Sequence, residues 1–207
     1  MLTTKTVNDF LSDVASSSPA PGGGSVSALA GSLGAALTSM VCRLTIGKKK
    51  YLDVQAEMEE TLKRSENLRT QLTSVIDEDT EAFNKVMNAF GLPKETDEQK
   101  SVRNKAIQDA TKAATLVPLK LMKLCGEGIG LARTVAEKGN KNSLSDAGVS
   151  ILLLQAAAQG AALNVRINLP GLEDRAFHDE AYEKVVTLSK KIDSVVAEVM
   201  PAIVAKL

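Results

Sequence analysis

The sequence predicts an all-α fold, a single-domain bundle of about seven helices spanning residues 1–207, several of them long. Three observations point there. Aromatic residues are scarce, only Phe10, Tyr51, Phe83, Phe90, Phe177 and Tyr182, with no Trp, whereas β-sandwiches and barrels lean on aromatic and β-branched residues. The stretch from Asp53 to Phe90 contains neither Gly nor Pro. Apolar residues recur at steps of three and four along most of the chain, and no convincing strand or internal repeat interrupts them.

The elements follow in order. Thr6 to Ala15 reads as an amphipathic helix with Val7, Phe10, Leu11 and Val14 on one face. The run Ser16 to Ser25, rich in Ser, Pro and Gly, breaks it. Ser25 or Gly24 then caps a helix to about Ile46, buried on most faces, on which small residues recur four apart (Ser27, Gly31, Ala35; Ala30, Gly34) and admit close packing. From Asp53 to Phe90 the apolar positions Val54, Met58, Leu62, Leu68, Leu72, Ile76, Phe83, Val86 and Phe90 predict one helix of about 55 Å at 1.5 Å per residue. Gly91-Leu92-Pro93 ends it. Thr96 and Gln99 form a capping box for a helix from Asp97 to about Cys125, kinked at Pro118, and a shorter helix follows from Glu127 to Glu137. Gly139-Asn140 stops it. Ser143 or Ser145 starts an Ala/Gly-rich helix from Asp146 to about Ile167, Pro170-Gly171 turns the chain, and Glu173 to about Met200 is the last helix. Long helices with continuous seams point to a homo-oligomer, most often a two-fold dimer.

Composition narrows the function. Twenty-five basic residues balance twenty-five acidic ones, so the chain has no basic footprint for nucleic acid. At 44% hydrophobic residues it is not disordered. Two cysteines, Cys42 and Cys125, are too few for a disulfide scaffold and have no metal-ligand spacing, so a reduced, cytoplasmic protein without a metal site is expected. Val26 to Cys42 carries no charge but is diluted by Ser, Thr and Gly, and a membrane span needs about 20 strongly apolar residues. A membrane protein is not expected. His178, in an acidic stretch, reads as a surface residue.

Several groups carry chemistry. Gly22-Gly23-Gly24-Ser25 precedes a helix and exposes main-chain N–H groups at its positive end; no Gly-Lys-Ser/Thr follows, so it is not a P-loop. The loop equally suits a plain turn. Asp79 falls in the apolar stripe with Leu72, Ile76 and Phe83, where a carboxylate is costly unless paired or hydrogen-bonded; a buried ion pair with Arg43 would serve as well as a site role. Asn140, Asn142, Ser145 and Asp146 form a dense polar cluster, with Asp146 also favoured by the helix dipole. Arg43, Lys48, Lys49 and Lys50 end the long buried helix, where cations are favourable in any case. Asn164 interrupts an apolar run.

The string Pro19-Ala20-Pro21-Gly22-Gly23-Gly24-Ser25-Val26-Ser27-Ala28-Leu29-Ala30-Gly31 and the later Arg43-Leu44-Thr45-Ile46-Gly47-Lys48-Lys49-Lys50-Tyr51 resemble the signature of the cyclodeaminase/cyclohydrolase family. Asp77 to Phe83, Gly139-Asn140 with Ser145 to Val149, and Ala161 to Asn168 agree, in order, over nearly the whole chain. The family includes the deaminase half of formiminotransferase-cyclodeaminase and stand-alone methenyltetrahydrofolate cyclohydrolases. The resemblance implies an all-helical homodimer that forms or consumes 5,10-methenyltetrahydrofolate, with no cofactor beyond the folate substrate and any glutamate formiminotransferase on a separate polypeptide. It implies Asp79, Lys48 and Asp146 as catalytic groups, with Asp79 a general acid or base or a grip on the pterin edge. Gly22, Gly23, Gly24, Ser25, Arg43, Lys49, Lys50, Asn140, Asn142 and Asn164 are then substrate-binding, the basic residues suiting a glutamate tail. The alternative is a non-catalytic folate-binding or scaffolding dimer, which would have no need of Asp79 in a seam.

Overall fold

The computed structural model describes residues 1–207 and contains six α-helices: α1 (Val7–Val14), α2 (Gly23–Thr45), α3 (Gln55–Phe90), α4 (Asp97–Lys138), α5 (Leu144–Asn168) and α6 (Arg175–Val204), with four short 3₁₀ turns and no strand. Helices α2, α3, α4 and α5 form a four-cornered bundle; α6 lies against α4 and α5. The expected Thr96–Gln99 box opens α4, and Thr6 and Asp174 cap α1 and α6; the cap read at Ser25 or Gly24 is corrected, since α2 starts at Gly23 with Gly22 before it and no side chain capping it.

Three further expectations are corrected. The two helices read on either side of Cys125 are one, because α4 runs through Pro118 to Lys138. Proline removes the hydrogen bond to the carbonyl four residues back, here that of Ala114, and the Asn168 amide donates to that orphaned oxygen at 3.3 Å. The fold thus repairs the defect from a neighbouring helix. Phe90 ends the α3 stripe but is exposed, since α3 outruns the body of the bundle there. On α1 only Phe10 is buried, with Val7 and Leu11 exposed; this short helix touches the bundle along one edge. The preceding segment is pinned by Asp77, which accepts from the Leu2 N–H at 2.5 Å and the Thr3 hydroxyl at 2.9 Å.

Helix α2 is the hub. It meets α3 through hydroxyls spaced seven residues apart: Ser25 reaches the Ile76 carbonyl and Asp79, Ser32 reaches Thr73, and Ser39 donates to Ser65. Against α5 it runs antiparallel, with Ser27 beside Gly160 and Thr38 bonded to Ser150, which donates to the Gly34 carbonyl. A Cβ at Gly31 would press on Leu72, Ala157 and Cys125 together, so the small-residue stripe is a packing device. Gly47, at φ +77°, provides the turn after α2 that β-carbon-bearing residues resist.

Gly23–Thr45 and Lys141–Gly171 are long and apolar enough to cross a membrane by length and composition; 61% and 50% of their most apolar stretches are buried inside the bundle. What remains outside is ordered. On α2, Val26, Ala30, Leu33, Leu37, Met40 and Leu44 form a stripe of alternating four- and three-residue steps, exposed or half-buried. On α5, Val149, Leu153, Ala156, Gly160, Leu163 and Ile167 repeat the same steps. Gly160, beside Ser27, borders the α2–α5 contact; the other stripe residues lie outside it, on the side turned from α4. Leu33 is 51% exposed and Ile167 78%.

Gly128 on α4 tests this packing. A Cβ there would stand 2.9 Å from both Leu154 and Leu68. Gly128→Ala is expected to cost ~1–3 kcal/mol by overpacking, lowering the melting temperature by about 2–4 °C per kcal/mol in a circular-dichroism melt. An unchanged midpoint would contradict the close approach.

Candidate active site

The N-terminus of α2, the middle of α3, the Pro118 region of α4 and the C-terminal end of α5 enclose a cleft of about 320 Å³. Gly22, Gly23 and Gly24 form one wall; Phe83, Val86, Ala114, Pro118 and Ile167 supply apolar surface; Asp79, Asn164 and Asn168 supply polar groups. The first main-chain bond of α2 runs from Val26 N–H to the Gly22 carbonyl, so the N–H groups of Gly23, Gly24 and Ser25 precede the ladder at the positive end of the helix.

Asp79 is the centre of this arrangement. The Ser25 hydroxyl lies 3.0 Å from its Oδ2 and 3.0 Å from the Ile76 carbonyl, either of which can accept its proton, and 3.1 Å from the Thr80 hydroxyl, where either oxygen can donate. Gly24 is required by contact: a Cβ would lie 2.7 Å from Oδ2 and closer still to Oδ1. Burial against the apolar walls holds the carboxyl above its ordinary range, and the Ser25 hydroxyl and main chain pull it part of the way back. The Asp79–Arg43 pair weighed from sequence does not form. Arg43 is at the far end of α2, where it reaches Glu66 at 3.4 Å, and Arg69 with Ser39 and Arg43 holds the Glu66 carboxyl down at about 2.

The structure brings Gly22, Gly23, Gly24, Ser25, Asp79 and Asn164 together. Within one protomer it does not bring Arg43, Lys48, Lys49, Lys50, Asn140, Asn142 or Asp146 to them. The reason is the straightness of α2: from Gly24 to Arg43 the helix rises about 28 Å at 1.5 Å per residue. The second group gathers at that distant end. Asn140 there spends its side chain on structure, donating to the Leu44 carbonyl at 3.0 Å and accepting from Asn142 N–H at 3.2 Å, while its own N–H reaches Thr45. Asn142 and Lys48 to Lys50 are exposed, and Asp146 is half-buried in the first turn of α5. Asn164 also makes an internal bond, to the Gly160 carbonyl at 2.8 Å. Cys42 and Cys125 are buried free thiols, pushed up by burial to about 11 and about 12.

Sequence reasoning missed Asn168, Pro118 and Thr80. The role of Asn168 exists only once α5 meets α4. Phe83 and Val86 were legible, four and seven residues after Asp79 on the same face, but read as core; they are half-buried walls of the cleft.

Residues 6–187 match the sequence model of the family described as Formiminotransferase-cyclodeaminase. The chain is 52% identical over 185 residues to the methenyltetrahydrofolate cyclohydrolase of Methylorubrum extorquens, covering 89% of each protein. It is 34% identical over 197 residues to the formimidoyltransferase-cyclodeaminase of Rattus norvegicus, covering 95% of this chain and 36% of that one. The fold superposes on the crystal structure of formiminotetrahydrofolate cyclodeaminase from Thermotoga maritima with a TM-score of 0.87, at 31% identity, over 99% of this chain and all of the other.

Gly24→Ala should force the Asp79 carboxylate to rotate and break its bond to Ser25. Activity is expected to fall at least tenfold, with a stability loss of ~1–3 kcal/mol and retained helicity. Full activity in this variant would show that the Asp79 rotamer seen here has no part in turnover.

Proposed function

The chain belongs to the formiminotransferase-cyclodeaminase family, and on that premise we propose that it is a tetrahydrofolate one-carbon enzyme whose reaction forms or consumes 5,10-methenyltetrahydrofolate at the Asp79 cleft. The observation that carries the site is Asp79 itself: a half-buried carboxyl, raised in pKa by burial, at the N-terminus of α2. Its desolvation is a standing cost that a scaffold would not retain.

The identity to the cyclohydrolase of Methylorubrum extorquens, over most of both chains, favours the hydrolytic branch, between 5,10-methenyl- and 10-formyltetrahydrofolate. Water adds to the cationic carbon between N5 and N10, and the Asp79 carboxylate takes its proton. The same carboxyl returns a proton to N5 as the C–N5 bond opens. The carbinol O–H proton leaves to solvent as the formyl C=O forms. In the deaminase branch, favoured by the likeness to the Thermotoga maritima fold, N10 attacks the formimino carbon and the carboxyl moves a proton to the departing amine. Neither route changes an oxidation state, so both are written without a redox cofactor. The α2 N–H groups suit a carbonyl or ring oxygen of the substrate. The cleft's Phe83 and Pro118 suit the flat face of a pterin.

A parallel assay with methenyl- and formiminotetrahydrofolate, read through the methenyl chromophore, separates the branches. Loss of absorbance with the first is expected; its appearance with the second alone would assign the deaminase, and silence with both would overturn the folate reading.

Asp79→Asn should lower turnover about a hundredfold or more, the contribution typical of a general acid or base. The sign on stability is opposite. A folded-state pKa above the unfolded one means that Asp79 stabilises the fold most fully below its ordinary range, and that this contribution is lost as pH rises through the raised value. At neutral pH the Asn variant should therefore unfold at or above the wild-type midpoint. A variant that is destabilised but retains its rate per folded molecule would make Asp79 structural.

A further inference from the structure

We propose that Pro118 is a positioning residue: by freeing the Ala114 carbonyl it anchors the amide of Asn168, and so turns the Asn168 Oδ1 into the cleft as an acceptor for the donor-bearing pyrimidine edge of the substrate's pterin. The identity of that ligand rests on the folate reading above; the coupling of Pro118 to Asn168 does not.

The two amides of the cleft each have one arm committed. A carbonyl oxygen only accepts. The Asn168 atom 3.3 Å from the Ala114 carbonyl is therefore its NH2 nitrogen, and so is the Asn164 atom 2.8 Å from the Gly160 carbonyl. In both, the oxygen is on the opposite arm. Neither oxygen meets a donor from the chain, yet no buried side-chain nitrogen or oxygen in the molecule lacks a partner. Both oxygens therefore reach accessible space, and both residues line the cleft. Four residues apart, they share one face of α5.

What holds the two amides differs. Asn164 leans on its own helix, one turn back. Asn168 closes α5 and leans on α4, on a carbonyl that is open to it only because residue 118 has no N–H to give. An alanine at 118 would donate to Ala114 within α4, and the Asn168 amide would lose its anchor and be free to turn over. An unbroken helix would present no such acceptor at this wall. With Asp79 the side chains of the cleft then offer two amide oxygens and a carboxylate, and no cation. A ligand that fits must bring donors. The pyrimidine edge of a pterin does, with its ring N3–H beside the 2-amino group. Pro118 thus acts twice, directly as an apolar wall and through Asn168 on the edge of the ring.

The coupling is read first without ligand. Asn168→Ala strips the Ala114 carbonyl of its donor, so it should lower the melting midpoint of the wild-type chain but not that of Pro118→Ala, whose helix supplies its own N–H. Equal changes in the two backgrounds, zero included, overturn the coupling. Recognition is read as a ratio of affinities. Calorimetry compares 5-formyltetrahydrofolate, which has no reacting methenyl carbon, with its 2-desamino-2-methyl analogue. The wild-type chain should prefer the first. Asn168→Ala and Pro118→Ala should each cut that preference about three- to tenfold, the worth of one hydrogen bond, and the double variant should cut it no further, because Pro118 acts through Asn168. A general distortion of the cleft would weaken both ligands alike and leave the ratio standing, so an unchanged ratio in Pro118→Ala overturns the proposal. A wild-type chain that binds neither folate overturns the folate reading, and with it the ligand assigned to Asn168, while the midpoint cycle still decides the coupling.

Discussion

The fold depends on how closely other helices approach α2. A helix with neighbours on three sides must give up bulk on those sides, and α2 does so with Gly31, Gly34, Ala28 and Ala35, all buried. Dispersion contacts made at such short range are numerous. The hydroxyls of Ser25, Ser32, Ser39 and Thr38 supply direction, since each must find a partner once buried, and each does. Register follows: with Ser32 fixed on Thr73 and Ser39 on Ser65, Ser25 comes to rest against Asp79. The site is thus the last rung of a packing ladder, and its geometry derives from residues up to about 20 Å along the helix at 1.5 Å per residue.

That ladder explains why two irregularities coexist at one place. Pro118 breaks the hydrogen-bond ladder of α4, and Asp79 puts a carboxylate into the α3 seam. Each defect is met by a group from elsewhere, Asn168 for the Ala114 carbonyl and Ser25 for the carboxyl. Both defects shape the same cleft. Proline also offers an apolar wall with no N–H to satisfy. A region that breaks local rules and draws support from two other helices, α2 and α5, is where function is expected to sit.

Much of this was legible. Helix α3 could be read from a run without Gly or Pro, α4 from its capping box, and Asp79 from its phase among Leu72, Ile76 and Phe83. The glycine triplet announced a helix start without showing that Gly24 must lack a Cβ because a carboxylate fills its place. What escaped were the relations between elements. Pro118 in a sequence reads as a kink, because the amide that repairs it is about fifty residues away in the chain. Asn140 reads as a polar site residue, because nothing local shows it tied to the end of α2. The grouping of Arg43 and Lys48 with Asp79 failed within one protomer for a simple reason: residues of one motif are near in sequence order, yet a straight helix carries them apart.

The charge of the substrate completes the account of Asp79. Two effects compete on its carboxyl, and desolvation prevails over the hydrogen bonds from Ser25. A methenyl group between N5 and N10 is cationic. In the proposed hydrolytic branch, placed within about 4–6 Å, it would favour the carboxylate, so that the bound substrate would itself prepare the base that accepts a proton from water. Addition of that water cancels the positive charge. Desolvation would then regain control and the carboxyl would hold its proton until the C–N5 bond opens and N5 takes it. A fully solvated aspartate would have surrendered the proton to solvent, and one locked to an arginine would never have accepted it. A cleft wall without a cation, as this one is, therefore suits the proposed chemistry: the charge that sets the Asp79 carboxyl would arrive with the substrate and leave with the addition of water.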